Sequence, residues 1–126
     1  MTQLEDPNEF LTGDFAEKNN VAAIIFLEEG EYKEHEFDTP DGKKEKKRLF
    51  DVRVQCNDKN GSIKIWTPNN TSLKKLIELS NGDTKNLVGK LIPIIRSYAN
   101  GRYIIYVKPD LTKEKLATIN VTISEF

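Results

Sequence analysis

The chain has 126 residues, a length that fits one domain with a real core better than two domains. Its 19 basic and 20 acidic residues nearly cancel, and the net charge of −1 gives no overall indication of a nucleic-acid partner. With one cysteine, Cys56, the chain cannot form an internal disulfide. With one histidine, His35, it lacks the ligands of a multi-histidine metal site and the residues of most His-based catalytic sites. Composition therefore favours a protein that is not an enzyme and that uses no metal or cofactor.

The chain contains no apolar run long enough to cross a membrane, which takes about 18 residues or more. The longest apolar run covers only residues 21–27. The acidic start at residues 1–6 lacks the apolar region of a signal peptide. We therefore expect a cytoplasmic protein without membrane contact.

Composition along the chain divides it into three parts. A polar N-terminal segment covers residues 1–20, and a central domain over residues 21–108 holds nearly all the apolar runs. An appendage follows Pro109 and covers residues 109–126. Within the appendage, alternation predicts a strand at residues 119–123.

Three runs of alternating apolar and polar residues open the central domain and predict three strands. The first covers residues 21–29 and continues over residues 31–37 after Gly30. The second covers residues 48–56 and the third covers residues 62–66. Four residues of the second strand share its inward face: Phe50, Val52, Val54 and Cys56.

Helical spacing over residues 73–77 then predicts a helix, which is followed by two more strands at residues 91–97 and 103–108. Asn100-Gly101 between those strands is a strong hairpin signal. The order β-β-β-α-β-β, with a long glycine-bent first strand, is that of an OB-fold. We therefore predict a mostly β protein, a five-stranded OB-fold Greek-key barrel with a helix between strands 3 and 4.

Two motifs in the middle of the chain resemble a known family. Residues 64–73 read KIWTPNNTSL, and residues 82–90 read GDTKNLVGK. They are similar to small OB-fold proteins of phages and archaea, in which a W-x-x-N-x-T element leads into the helix and a G-D-T-x-x-x-V-G-K element leads into the fourth strand. The resemblance covers residues 48–109 and departs at Leu87, where the family usually has an aromatic residue. It implies likeness to single-stranded-DNA-binding OB domains, with a role in replication, repair or phage DNA metabolism.

A run of basic residues is the first candidate for nucleic-acid contact, and the predicted topology places it in the loop between the first two strands. Loops at this position flank the ligand groove of OB-folds, where cations can follow phosphates. The alternative is a solvated hairpin tip whose bases face the acids of the first strand. The basic residues of the run are Lys43, Lys44, Lys46, Lys47 and Arg48.

The outward face of the second and third strands is the second candidate. If Ile63 and Ile65 of the third strand face inward, alternation turns Lys64 and Trp66 outward. A tryptophan beside cations on a sheet surface can stack a base, which contributes on the order of 1–3 kcal/mol. The alternative is a Trp66 that is buried at one end of the barrel. The outward set is Arg53, Gln55, Lys64 and Trp66.

The predicted hairpin tip supplies a third candidate, since Tyr98, Arg102 and Tyr103 surround the Asn-Gly turn. Two tyrosines and an arginine can hold a strand by stacking and phosphate contact. The alternative is cross-strand packing of Tyr98 on Tyr103, which stabilises a hairpin by about 0.2–1 kcal/mol. Of the remaining reactive residues, we expect Cys56 to be an inert inward residue and His35 to be an exposed surface residue.

These expectations combine into one domain that binds single-stranded nucleic acid, with DNA favoured over RNA, at low sequence specificity. The alternative is a protein-interaction module that acts as a replication or phage accessory factor, which the acid-rich first strand favours. Replication proteins are the expected protein partners. The strand predicted at residues 119–123 can pair with a sheet edge of its own or another subunit, so both a monomer and a weak oligomer stay open.

Overall fold

The fold is known from a computed structural model, which describes residues 9–118 and the side chains of residues 9–116. It is mostly β, as predicted, with two α-helices and two short 3₁₀ turns in the described part of the chain. The helices are α1 (Gly13–Lys18) and α2 (Asn70–Ser80), and the 3₁₀ turns are Thr84–Leu87 and Lys113–Lys115. The strands are β1 (Ala23–Phe26), β2 (Glu31–Asp38), β3 (Lys44–Cys56), β4 (Ile63–Trp66), β5 (Lys90–Ala99), β6 (Arg102–Val107) and β7 (Ala117–Thr118).

The strands form one open antiparallel sheet in the order β2-β3-β1-β5-β6, with β4 paired to β3 and β7 paired to β5. The predicted helix is present between β4 and β5. Among residues 9–118, no strand pairing joins β4 to β6, so hydrogen bonds between strands do not close the sheet into a barrel. None of the helices described is long and apolar enough to span a membrane.

The predicted first strand is two strands, β1 and β2, on either side of the break at Gly30. Both pair with β3: Ile24 lies opposite Cys56, and Tyr32 lies opposite Phe50. The 13 residues of β3 therefore pair with two successive strands, both antiparallel to it, and β3 begins before the predicted start. This arrangement makes β3 the strand that fixes which side chains face the core.

The core lies under the inward face of β3, and the predicted inward residues are confirmed as buried. The register contradicts the prediction for β4, because Val52 lies opposite Trp66 and Val54 lies opposite Lys64. Directly opposed residues of an antiparallel pair share a face, so both β4 residues face inward. Ile-Lys-Ile-Trp carries apolar residues in either phase, which is why alternation alone chose the wrong one.

Local signals set the start of the helix and the turn of the second hairpin. The Asn69 side chain accepts a hydrogen bond from the Ser72 amide at 2.9 Å and starts α2. Leu76 of α2 is buried in the core. Asn100 and Gly101 both have positive φ, at 52° and 81°, the pair of values that a two-residue hairpin turn requires.

Residues 9–18, which belong to the polar N-terminal segment, pack across the open side of the sheet between β4 and β6. The Leu11 amide donates to the Ile65 carbonyl at 2.7 Å, and the Tyr103 amide of β6 donates to the Asp14 carboxylate at 3.2 Å. Ala16 of α1 is fully buried in the core. At the other end, β7 pairs with β5, and the strand predicted at 119–123 lies outside the described residues.

We predict that Gly13→Ala lowers the free energy of unfolding by about 1–3 kcal/mol, because overpacking forces the backbone apart. A Cβ atom at Gly13 would lie 1.9 Å from the Tyr103 carbonyl oxygen, so α1 would have to shift away from β6. Urea denaturation measures the change. Lys18→Ala, at an exposed position of the same helix, is the control and should stay within about 0.5 kcal/mol of the parent. Equal midpoints for the two variants would contradict the close packing.

Candidate nucleic-acid interface

The hairpin of β2 and β3 places opposite charges against each other on one face, which we call the ladder face. Three acids of β2 lie directly opposite three bases of β3, an arrangement that stabilises an antiparallel pair by about 0.2–1 kcal/mol each. Arg48 also lies 5.2 Å from the centre of the Tyr32 ring. The alternative given for these bases, that they face the acids of the first strand, matches this register. The pairs are Glu34 with Arg48, Glu36 with Lys46, and Asp38 with Lys44.

The prediction of a basic loop is wrong, because most of the run lies on β3. The connection is a tight turn over residues 39–43, in which the Thr39 amide donates to the Lys43 carbonyl at 2.8 Å. Hydrogen bonds from the Thr39 hydroxyl and the Lys43 amide lower the pKa of Asp41 below its ordinary value of 3.8. Only Lys43 of the run belongs to the turn, since residues 44–51 find partners along all of β2. The residues moved onto the strand are Lys44, Lys46, Lys47 and Arg48.

The opposite face of the same hairpin carries a row of aromatic rings, which we call the aromatic strip: Phe10, His35 and Phe37. The His35 and Phe37 rings lie 6.3 Å apart and within 20° of parallel. Phe10 meets the His35 ring edge-on, also at 6.3 Å. Phe10 and Phe37 remain 37% and 43% exposed, although a folded protein usually covers rings of this size. The strip is therefore an accessible aromatic surface.

A buried carboxylate holds the centre of the strip. The Asp51 carboxylate is 5% exposed and lies 2.9 Å from Nε2 of His35. The Thr67 hydroxyl donates to its other oxygen at 2.6 Å. Lys47 is the residue of β3 directly opposite His35, and Asp51 follows Lys47 by four residues. Four residues of a flat strand span about 13 Å. The contact therefore shows that the hairpin curls towards the strip.

His35 is consequently half-buried, and the expectation of an exposed surface residue is wrong. Its side chain is 22% exposed because Phe10, Phe37 and Asp51 surround it. Alternation of His35 and Phe37 along β2 is the one sequence signal for the strip. The contributions of Phe10 and Asp51 depend on tertiary contacts, so sequence reasoning missed them.

Two lysines border the strip on the hairpin. Lys47 lies directly opposite His35, and Lys33 precedes His35 by two residues on the same face. Each ammonium group pairs with a neighbouring acid, Lys33 with Glu31 at 3.3 Å and Lys47 with Glu45 at 4.0 Å. All four side chains are largely exposed, so these pairs are weak and can exchange for phosphates.

Arg53 continues the same face of β3 beyond the hairpin and is exposed, as predicted. It lies opposite Ile65, which is bridged on its other side to Phe10. Gln55 faces outward too, but it is half-buried and its amide donates to the Gly61 carbonyl at 3.3 Å. Of the residues predicted on this sheet face, Arg53 is therefore the exposed cation beside the strip.

Trp66 and Lys64 do not lie on that face, so the prediction that both face outward is wrong. Trp66 is 2% exposed and packs edge-on against Phe26, with ring centres 6.4 Å apart. Lys64 is buried too, with its ammonium group 4.5 Å from the centre of the Phe15 ring. The inward phase of β4 places both side chains here, and a base cannot stack on the face of Trp66.

The tip of the β5–β6 hairpin shows the predicted cross-strand packing. Tyr98 lies opposite Tyr103, with ring centres 5.1 Å apart and an interplanar angle of 65°. Tyr98 and Arg102 are exposed, and Arg102 lines a cavity of about 360 Å³ together with Tyr103 and Thr67. Because Thr67 also holds Asp51, this cavity adjoins the aromatic strip. Thr67 therefore belongs both to the lining of this cavity and to the contacts of Asp51 beneath the strip.

Cys56 is buried, as predicted. Burial, with the Asp58 carboxylate adding to it, raises the pKa of the Cys56 thiol to about 12. In the described part of the chain, no three His, Cys, Asp or Glu side chains are grouped closely enough to hold a metal ion.

Comparison of the chain with protein-family models, curated proteins and solved structures found no match. The functional argument therefore rests on the geometry of the strip and of the two hairpins.

We predict that Cys56 resists thiol reagents in the native protein at about pH 8, because the thiolate is the reactive form. The native thiol should react far more slowly with a disulfide reagent than the same thiol in urea. Ser97→Cys, at an exposed position of β5, is the positive control and should label rapidly when native. Equal labelling rates of Cys56 with and without urea would contradict its burial.

We predict that Trp66, the one tryptophan of the chain, emits at short wavelength and that acrylamide quenches it poorly in the native protein. An apolar, water-excluded surrounding produces both effects. Fluorescence spectra with and without denaturant measure them. Native quenching as strong as that in denaturant would show that the Trp66 ring is accessible after all.

Proposed function

We propose that this protein binds single-stranded nucleic acid, with DNA favoured over RNA, along the surface between its two hairpins. The observation that carries the proposal is the aromatic strip: three adjoining rings that remain partly exposed on a curled sheet face. Stacking of bases on aromatic side chains contributes about 1–3 kcal/mol per base and tolerates any base. The proposed binding is therefore of low sequence specificity.

The connectivity supports the proposal. A bent first strand (β1 and β2) paired with β3 and β5, a β4 paired with β3, and a helix before β5 follow the chain order of an OB-fold. OB-folds bind oligonucleotides on the face of their second and third strands, between the loops of their two hairpins. The strip, on β2 and the N-terminal segment, shares its side of the sheet with Asp51 and Arg53 of β3. The resemblance to phage and archaeal OB-fold proteins makes replication, repair or phage DNA metabolism the proposed setting.

The charges support a modest affinity to which a few ionic contacts contribute. Arg53 beside the strip, Lys43 in the first turn and Arg102 at the second hairpin are exposed cations along the surface. The bases of the ladder face oppose acids and contribute little to it. Few phosphate contacts predict a shallow dependence of affinity on salt, about 0.7 in log–log slope per contact with a single strand.

We predict that Phe37→Ala weakens binding of a fluorescein-labelled oligothymidylate of about 15 nucleotides by roughly fivefold or more, since one stacked base is lost. Phe10→Ala should act in the same direction. Fluorescence anisotropy at low salt measures the dissociation constants.

The matched control is Tyr32→Ala, which removes a ring that is 50% exposed on the ladder face of the same hairpin. Its affinity should equal that of the parent protein. An equal loss in Tyr32→Ala and Phe37→Ala would mean that general damage to the hairpin, and not stacking on the strip, weakens binding. No binding by the parent protein at low salt would overturn the proposal.

A protein-interaction module is the second candidate, and one observation favours it. A groove of about 410 Å³ between the hairpin and α2 is lined by Tyr32, Phe50, Leu73 and Ile77, among others. Tyr32 and Ile77 are largely exposed at its edges. A partner from host lysate that survives nuclease treatment and is lost in Ile77→Asp, together with no oligonucleotide affinity, would favour this function.

A further inference from the structure

The cavity of about 360 Å³ lies where the sheet is open, between the N-terminal segment and β6. Leu11 and Gly13 of the segment line one side of it, and Tyr103 and Ile104 of β6 line the other. Binding sites for small ligands in proteins have volumes of about 300–1,000 Å³. The cavity is therefore large enough to enclose one ring system, but not a longer ligand.

The lining of the cavity is apolar on its buried side and charged at its mouth. The buried side is formed by Leu11, Trp66 and Ile105, which are 7%, 2% and 6% exposed. Asp14 and Arg102 are exposed and lie at the mouth. Apolar walls with a few polar groups are typical of sites that enclose a ligand. An occupant that fits this lining has an apolar ring and a negative group that Arg102 can bind.

Hydrogen bonds fix both sides of the cavity. On the side of β6, the Asp14 carboxylate accepts the Tyr103 amide at 3.2 Å, and the Asn69 side chain donates to the Ile105 carbonyl at 3.3 Å. On the other side, residues 9–11 are bonded to β4. A site that the fold already holds needs little ordering when a ligand enters, which lowers the cost of binding.

We propose that this cavity takes one unstacked base of the bound single strand, with Tyr103 beside the base and Arg102 on its phosphate. The inference rests on the proposed function and adds a binding site for a single nucleotide to it. Thr67 lines the cavity, and its hydroxyl donates to Asp51 beneath the aromatic strip at 2.6 Å. A strand that stacks on the strip therefore runs close to the mouth of the cavity.

The chemistry of a nucleotide matches the lining. Its base is a flat ring that can pack beside the Tyr103 ring, and such contacts are possible for every base. Its phosphate is an anion that the planar Arg102 guanidinium binds with paired hydrogen bonds. Asp14 acts as a positioning residue, because its bond to the Tyr103 amide holds the start of β6 against α1.

Trp66 provides the measurement, because it is the one tryptophan of the chain and lines the cavity. A bromine atom quenches indole fluorescence only when it is close to the ring. The experiment saturates the protein at low salt with oligothymidylate or with oligobromodeoxyuridylate of the same length, in which bromine replaces the thymine methyl group. We expect the brominated strand to quench Trp66 more strongly, while fluorescence anisotropy shows that both strands bind.

Three variants test whether the cavity causes the extra quenching. Ile104→Glu places a carboxylate on the cavity wall; it should abolish the extra quenching and weaken binding roughly fivefold or more, since one base loses its contacts. Arg102→Ala, at an exposed position that the fold does not need, should reduce the extra quenching. Ile95→Glu is the matched control, because it adds the same charge to the same hairpin at a residue that is 40% exposed and away from the cavity. It should behave as the parent protein, and circular dichroism establishes that each variant is folded.

Equal quenching by the two strands in the parent protein, with binding intact, would overturn the inference and leave the proposed function standing. Extra quenching that persists in Ile104→Glu, or that is lost equally in Ile95→Glu, would also overturn it. Bromodeoxyuridine monophosphate that quenches as strongly as the strand, at equal nucleotide concentration, would assign the cavity to free nucleotides and overturn the strand as its occupant. No binding of either strand by the parent protein would overturn both the inference and the proposed function.

Discussion

The register of β3 against its partners is the constraint on which the rest of the molecule depends. Three strands pair with β3: β2 along its first half, and β1 and β4 along its second half. Since directly opposed residues share a face, this one register sends Trp66 into the core and places Thr67 against Asp51. The buried Asp51 carboxylate then needs donors, and Thr67 and His35 supply them. The curl of the hairpin and the position of the strip follow from satisfying that carboxylate.

The same register explains how acids and bases are distributed in the hairpin of a protein whose net charge is near zero. Alternation along β2 sends its three ladder acids, Glu34, Glu36 and Asp38, to one face and His35 and Phe37 to the other. The ladder acids oppose bases of β3, so much of the charge of the hairpin is used in holding its own strands together. An acid-rich strand is thus compatible with a face that receives phosphates, because most of its acids point away from that face.

Sequence reasoning succeeded where the signal is local and failed where it depends on tertiary contacts. The Asn100-Gly101 turn was predictable, since it is decided by a few neighbouring residues. The inward face of β3 was predictable because its alternation runs without interruption. The phase of β4 was not, because Ile65 and Trp66 make either face apolar. The docking of residues 9–18 and the contact of Asp51 with His35 join positions that are distant in the sequence. No spacing of residues along the chain predicts such contacts.

The N-terminal segment covers the open side of the sheet and also forms part of the proposed surface. Where β4 and β6 do not pair, residues 9–11 hydrogen-bond to β4, and Asp14 binds the end of β6. The same segment supplies Phe10 to the strip and, with Arg102 and Thr67, lines the adjoining cavity through Leu11 and Gly13. Stability of the sheet edge and shape of the proposed groove are therefore set by one stretch of chain. Detachment of residues 9–11 from β4 would move Phe10 away from His35, and would alter the strip as well as the fold.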